Sequence, residues 1–199
     1  TPVSSIGKLV TPRVHVYGHV SAQPKALAEI FGGEHIDQAV AESDLAIFAI
    51  NPSAGIDQET IDLWAALSEF QLPRLVVVNE LEGSDSDFDD AVMLANRVFD
   101  QLVTPYLVLH NDAGDPTALI DLQSLEIIDY STNPVSKRDS DPEHKELVAE
   151  FREEYLEALS DAGEKAFEAG LLFPAIPVVI TKGIGVDIVK NFIALAAAN

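Results

Sequence analysis

The stretch from Gly18 to Leu27, which reads GHVSAQPKAL, has the position of a phosphate loop in an α/β nucleotide-binding protein. It follows a predicted strand at 13–18 and leads into a helix predicted at 24–31. A phosphate loop needs glycines that let backbone N–H groups approach, a lysine for the β- and γ-phosphates, and Ser or Thr for magnesium. Gly18 is present, but Pro24 removes an N–H group from the cradle. We therefore expect no working loop, with Lys25 a solvated lysine at a helix start.

Asn79 and the acidic residues after it are the second candidate ligand site. Asn79 ends a predicted strand at the edge where open α/β sheets bind ligands. Oxygen ligands are those that calcium and magnesium prefer, so the acidic residues behind it are a candidate cation site: Glu80, Glu82, Asp85 and Asp87. Their spacing is not that of an EF-hand, and a solvated acidic loop is the simpler interpretation. We expect no metal.

Other catalytic chemistry has little foundation in this sequence. The histidines are scattered along the chain and predict no zinc site; they are His15, His19, His35, His110 and His144. No serine stands in a Gly-x-Ser-x-Gly elbow, which argues against a hydrolase of that class. The candidate chemistry is therefore confined to the degenerate phosphate loop and the acidic loop.

Two short, continuous apolar runs, Leu45 to Ile50 and Leu75 to Val78, position these loops. Such runs are typical of strands that are covered on both faces of a parallel sheet. A helix predicted at 58–70 connects them, so the two strands should be parallel neighbours. The remaining predicted elements are helices at 34–43, 87–102, 142–160 and 186–198, strands at 105–109 and 176–181, a two-stranded hairpin within 117–131 and a polar linker at 133–142. Alternating strands and helices predict an α/β fold.

Composition narrows the possible partners. The chain has 199 residues, with 12 Lys plus Arg against 33 Asp plus Glu, which gives a formal net charge of −21. Such a field repels phosphate backbones and anionic membranes, so we expect no direct nucleic-acid or membrane binding. The absence of cysteine fits a reducing cytosol. Residues 1–10 have neither the basic start nor the apolar core of a signal peptide, and we predict a cytoplasmic protein.

The ordered set of motifs resembles the GTPase domain of translation elongation factor G. That family has, approximately, D-A-x-x-G-V-x-x-Q-T, then P-R-hydrophobic-N-K-x-D and an acidic D-F helix start. Positions of this chain that fall on the pattern are Gly55, Gln58, Thr60, Pro73, Arg74, Asn79, Asp87 and Phe88. The segment TALIDL resembles the hairpin of the family's inserted subdomain, and the loop 182–186 resembles its K-G-x-G-V turn. The resemblance covers nearly the whole chain.

The resemblance implies a P-loop-NTPase-like domain whose nucleotide site is degenerate. Gln23 stands at the essential glycine of the family's phosphate loop, Pro24 at its lysine and Lys25 at its magnesium-binding threonine. In the base-reading N-K-x-D motif, Glu80 replaces the lysine and Glu82 the aspartate. The degenerate nucleotide-site positions are thus Gly18, Lys25, Asn79 and Glu82. No residue matches the family's catalytic histidine, and we predict a pseudo-GTPase.

The resemblance also implies a shortened sheet. In the family, two switch segments lie between the first helix and the next strand, and they supply two strands beside the first strand of the sheet. This chain has no room for them between Phe31 and Glu34, so those two strands should be missing. The strand at 13–18 would then be an exposed edge that recruits a protein partner or a second copy of the chain. We expect a truncated G-domain core at 1–110 and 171–199, an inserted subdomain at 111–170, and one domain of a longer factor.

Three hypotheses for function follow. The first is a catalytically dead elongation-factor-G-like domain that acts as a binding or regulatory module and needs no cofactor. The second is a domain with relaxed motifs that still binds GTP or GDP with magnesium, its guanine read by Asn79 and Glu82. The third is an unrelated acidic α/β protein that binds a metal ion or a small molecule.

Overall fold

A computed structural model describes residues 11–82 and 87–198. The predictions made for residues 1–10 and for Asp85 lie outside these ranges. The strands are β1 Val14–Tyr17, β2 Glu34–His35, β3 Leu45–Ile50, β4 Arg74–Val78, β5 Leu102–Val103, β6 Tyr106–His110, β7 Pro116–Asp121, β8 Glu126–Asp129, β9 Ser136–Asp139 and β10 Phe173–Pro177. The helices are α1 Pro24–Phe31, α2 Gln58–Leu67, α3 Phe88–Val98, α4 Pro142–Leu147, α5 Ala149–Ala162 and α6 Val186–Ala197.

A parallel sheet of six strands forms the centre of the molecule, in the order β2-β1-β3-β4-β10-β5. Every residue of β3 and β4 is buried, as their continuous apolar runs predicted for strands covered by helices. The four residues of β1 are buried as well. The predicted α/β class, a mostly parallel sheet flanked by helices in a P-loop-NTPase-like domain, is confirmed.

Helix ends follow from local sequence. Pro24 opens α1 at its first turn, where a missing N–H group is tolerated, and Gly32 ends it in the left-handed region at φ 66°. Asp141 caps α4 by accepting a hydrogen bond from the backbone of His144, as the Asp-Pro pair predicted. The continuous helix predicted at 142–160 is instead two helices, which meet at Val148.

A buried arginine fixes α2 against the sheet. The Arg74 guanidinium lies 4.1 Å from the ring centre of Trp64 and 4.5 Å from that of Phe173. It donates hydrogen bonds to the carbonyl of Trp64 and to Ser68 Oγ. The charge is therefore held by two aromatic faces and by the end of α2.

The second sheet is antiparallel, in the order β6-β7-β8-β9. The predicted hairpin is confirmed as β7 and β8. The segment at 105–109 belongs to this sheet rather than to the parallel one, because β6 pairs with β7 from Tyr106 onward. The boundary predicted at residue 110, between the core and the inserted subdomain, stays a prediction. The second sheet begins before it, at Tyr106.

Two further segments differ from expectation. The predicted polar linker contains β9, which pairs with β8. All four residues of β9 are exposed, so its sequence has no apolar pattern that would indicate a strand. The last parallel strand is Phe173–Pro177 rather than 176–181, because Ile180–Lys182 forms a short 3-10 helix.

The prediction that 13–18 is an exposed edge is wrong. Gly32 and Gly33 turn the chain out of α1, and β2 then pairs in parallel with His15 and Val16. The backbone of Ile36 also donates to the carbonyl of Val16. The short β2 thus takes the place beside β1. The helix predicted at 34–43 is wrong, because the chain forms β2 at 34–35 and then runs without a helix to β3. The edge strand on this side of the sheet is therefore β2 rather than β1, and association with a protein partner or a second copy stays a prediction.

No helix within the described ranges is long and apolar enough to cross a membrane.

Candidate functional site

The predicted nucleotide-site residues surround the carboxyl ends of β1, β3, β4 and β10. Gly18 directly follows β1, and Asn79 directly follows β4. Glu82 reaches Thr181 behind β10, where Thr181 Oγ1 donates a 2.6 Å hydrogen bond to Glu82 Oε1. Gly18, Asn79 and Glu82 are thus brought to one edge of the sheet, which is where the fold places ligands.

Close packing explains Gly18. Its φ is +149°, and a Cβ built there would lie 2.5 Å from the carbonyl oxygen of Ala49. A side chain at this position would therefore collide with β3. The glycine lets the chain leave β1 against the neighbouring strand, which is a structural requirement whether or not a phosphate binds.

The loop between β1 and α1 uses its own N–H groups. The backbone of Ser21 donates to His19 Nδ1 at 3.1 Å, that of Ala22 to the carbonyl of His19 at 2.9 Å, and that of Gln23 to the carbonyl of Val20 at 3.0 Å. Pro24 has no N–H group. Four consecutive positions, 21–24, therefore leave no backbone donor free in the segment where a phosphate loop needs several.

Gln23 adopts the backbone conformation that favours glycine. Its φ is 53° and its ψ is 51°, in the left-handed region. The resemblance aligns this residue with the essential glycine of the family's loop, so the backbone geometry is kept although the residue type is not. The Gln23 amide Nε2 donates to Glu80 Oε1. Glu80 is also left-handed, at φ 61°.

Two asparagine side chains donate hydrogen bonds to the loop between β1 and α1. Asn51 Nδ2 donates to the carbonyl of Ser21 at 2.9 Å, and Asn79 Nδ2 donates to the carbonyl of Ala22 at 3.0 Å. Asn79 is only 2% exposed. Its side-chain N–H is thus bonded within the protein, in a buried contact between β4 and the loop.

Two lysines stand on the elements around this edge, Lys25 and Lys182. Lys25 is exposed on the first turn of α1, beside a surface groove of about 420 Å³ that Val20 and His35 also line. Lys182 donates from Nζ to the carbonyl of Pro116 at 3.0 Å, which ties the loop after β10 to the second sheet. Glu80 accepts a hydrogen bond from Gln23 and so places a carboxylate directly beside the loop. This negative charge is unfavourable to a polyphosphate.

Within its described residues, the acidic loop brings together no cluster that could hold a metal ion. In the parts of the chain that the structure describes, no group of three or more His, Cys, Asp or Glu side chains converges on one point. Glu80 and Glu82 instead point to separate partners, Gln23 and Thr181.

Sequence reasoning missed the hydrogen bonds of Asn51, His19 and Thr181. Asn51 had a usable signal, because it follows β3 just as Asn79 follows β4. His19 and Thr181 had none, since their hydrogen bonds depend on the course of the loops.

Several translation factors are similar to this chain in sequence. An elongation factor G-like protein of Mycobacterium tuberculosis is 26% identical over 167 residues, which cover 72% of this chain and 23% of that protein. Elongation factor G of Ruegeria sp. is 26% identical over 153 residues, covering 73% of this chain and 21% of that factor. A mitochondrial ribosome-releasing factor 2 of Anopheles gambiae is 26% identical over 89 residues, 45% of this chain and 12% of that factor.

The fold has a solved counterpart. The crystal structure of ttk003000868 from Thermus thermophilus matches with a TM-score of 0.66 and 25% sequence identity, over 77% of this chain and 26% of that one. No protein-family profile matches. The chain spans less than a quarter of the length of the three translation factors named in the sequence comparison. In sequence and in fold, the chain is similar to the elongation factor G-like proteins and forms a translation-factor-like domain.

Proposed function

We propose that this domain is a pseudo-GTPase, a translation-factor-like module that neither binds GTP nor hydrolyses it and that acts by binding a protein partner. One observation carries the proposal: positions 21–24 of the phosphate loop have no free backbone N–H group. Phosphoryl transfer depends on positioning and on neutralisation of the phosphate charge. A loop that is closed on itself supplies neither.

The absence of a loop lysine adds to this argument. The family's lysine position is occupied by Pro24, and Lys25 is exposed to solvent on α1. Magnesium would need the hydroxyl that Lys25 replaces. The formal net charge of −21 opposes a polyanionic ligand at longer range.

Recognition of guanine is also weakened. Asn79 donates its amide to the carbonyl of Ala22, and Glu82 accepts from Thr181. Reading a base with Glu82 would require this second contact to break, and the base would meet Glu80 where the family has a lysine. The alternative of a nucleotide-binding domain with relaxed motifs therefore needs rearrangement of its loops.

Titration of a fluorescent GDP analogue in the presence of magnesium tests the proposal. We expect no saturable binding at millimolar nucleotide. The variant Gln23→Gly/Pro24→Lys/Lys25→Thr, which restores the family's loop residues, is the matched comparison. Guanine-specific binding by the unaltered chain at micromolar concentration would overturn the proposal, whereas binding by the variant alone would attribute the loss to the loop.

A further inference from the structure

The parallel sheet has an open edge at β2. This strand is outermost in the sheet and, in the described ranges, pairs with β1 alone. The backbone N–H of Ile36 donates to the carbonyl of Val16 at 3.1 Å, so the peptide groups on either side of His35 are bonded to β1. Because alternate residues of a strand face opposite sides, the N–H and C=O of His35 itself face away from β1. A strand added at this edge could therefore pair with His35.

A groove of about 420 Å³ lies beside this edge. His35 of β2 lines it together with the first turn of α1, so the groove is on the face of the sheet that α1 covers. Side chains of a strand point alternately to the two faces of its sheet. Every second side chain of a strand added to β2 would therefore point toward the groove.

The wall of the groove is apolar. Val20, Pro24 and Ala26 line it, and Val20 is 79% exposed, the largest exposed fraction among the large apolar side chains of the described ranges. An apolar pocket beside a free strand edge is the arrangement of strand-addition sites. In those sites, backbone hydrogen bonds supply affinity and the pocket selects the side chain that enters it.

Lys25 gives the groove a positive charge. Among the described residues that line the groove, none is acidic. The ion pairs of the described ranges use other cations: Arg74, Arg138, His144 and Lys145. Glu29 follows one turn later on α1, and Glu34 precedes His35 on β2, so a run of acidic residues would be repelled. A single carboxylate beside an apolar group is the better match for this charge pattern.

We propose that the edge of β2 binds the carboxyl-terminal residues of a partner protein as an added strand. The backbone of that segment would pair with His35, an apolar side chain would contact Val20 and Ala26, and the terminal carboxylate would meet the ammonium group of Lys25. The two residues of β2 form a short edge, which fits the end of a chain better than a long strand. The inference rests on the proposal that the domain acts by binding a protein partner, but not on its loss of nucleotide binding.

A fluorescently labelled peptide of about six residues, some 20 Å long when extended, is the probe. It alternates threonine with valine and ends in valine with a free carboxylate. Its affinity is measured by fluorescence anisotropy for the unaltered chain, Val20→Asp and Lys25→Ala. Val135→Asp is the control for the first variant, because Val135 is a valine, 48% exposed, outside the groove. Lys190→Ala is the control for the second, because it removes the charge of an exposed lysine on α6.

We expect Val20→Asp and Lys25→Ala to weaken binding by about tenfold or more, and the two controls to change it by less than about twofold. Amidation of the peptide's carboxyl group should weaken binding as much as Lys25→Ala does. N-methylation of the peptide backbone should weaken binding at alternate positions only, because every second N–H group of an added strand faces β2. Thermal melting confirms that each variant of the protein is folded.

No saturable binding of the peptide at millimolar concentration would overturn the inference, as would equal affinity of the acid and the amide. A uniform response to N-methylation along the peptide would exclude strand addition. Sedimentation that showed a dimer dissociated by Val20→Asp would assign the edge to a second copy of the chain instead. Nucleotide titration is a separate measurement that does not use the peptide, so failure of this inference and failure of the pseudo-GTPase proposal are distinguishable.

Discussion

Asn79 donates a 3.0 Å hydrogen bond from its side-chain amide to the carbonyl of Ala22, across the interface between β4 and the loop that precedes α1. This contact links the residue expected to read a guanine base to the loop expected to hold its phosphates. Both elements of the site are thus part of one buried interaction within the protein. The same relationship makes the site testable through folding stability as well as through ligand binding.

Removal of the Asn79 amide should destabilise the fold. Asn79→Ala leaves the carbonyl of Ala22 without its buried partner, and we expect the free energy of unfolding to fall by about 1–3 kcal/mol. Urea denaturation measures the change. Asn51→Ala is the control, because Asn51 makes the equivalent bond to Ser21 from a less buried position and should cost less. An Asn79→Ala variant as stable as the unaltered chain would contradict the assignment.

Substitution of Gly18 should be more damaging than substitution of another glycine. Gly18→Ala places a Cβ 2.5 Å from the carbonyl oxygen of Ala49 and should cost about 2 kcal/mol or more. Gly55→Ala is the control, since Gly55 is also left-handed, at φ +73°, but has no atom within 4 Å of the added Cβ. Its cost should be limited to about 1 kcal/mol of backbone strain. Equal melting temperatures for both variants would contradict the close approach of β1 and β3.

Much of the core was predictable, because its signal is local. The continuous apolar runs of β3 and β4 and the Pro-to-Gly boundaries of α1 are visible in the sequence alone. By contrast, β2 has two residues and β9 reads SKRD, so neither has an apolar pattern that could reveal it. At the site, the positions of Gly18 and Asn79 were predictable, because each directly follows a strand that the sequence reveals. The hydrogen bonds that the loop makes with its own N–H groups were not, because they depend on backbone conformation.

The buried Arg74 should contribute strongly to stability. Arg74→Ala empties the space between the rings of Trp64 and Phe173 and removes two hydrogen bonds at the end of α2. We expect a loss of about 2–4 kcal/mol in guanidinium chloride denaturation. Arg97→Ala removes an exposed arginine and should change stability by less than about 0.5 kcal/mol. Similar effects of the two substitutions would argue against the packing of Arg74 between Trp64 and Phe173.

Alkaline pH should unfold the domain through its tyrosines. Burial raises the pKa of Tyr155 to about 12, and the charge of Asp121 adds to the effect; burial also raises the pKa of Tyr106 and Tyr130. A pKa raised in the folded state means that stability is complete below the unfolded pKa near 10 and is lost as the pH rises toward 12. Tyr155→Phe should flatten this dependence in thermal melts between those pH values. An unchanged slope would show that Tyr155 does not titrate with unfolding.

The central claim, that the loop closed on itself excludes nucleotide, is tested most directly by the melting temperature of the unaltered chain with GTP, GDP or ATP and magnesium. A ligand at about 100 times its dissociation constant adds about 2.7 kcal/mol to the stability of a folded protein, which a melting curve resolves. We predict no shift at millimolar concentration of any of the three nucleotides. A clear rise with GTP and GDP but not with ATP would contradict the account, because it would mean that the loops still open to take a guanine nucleotide.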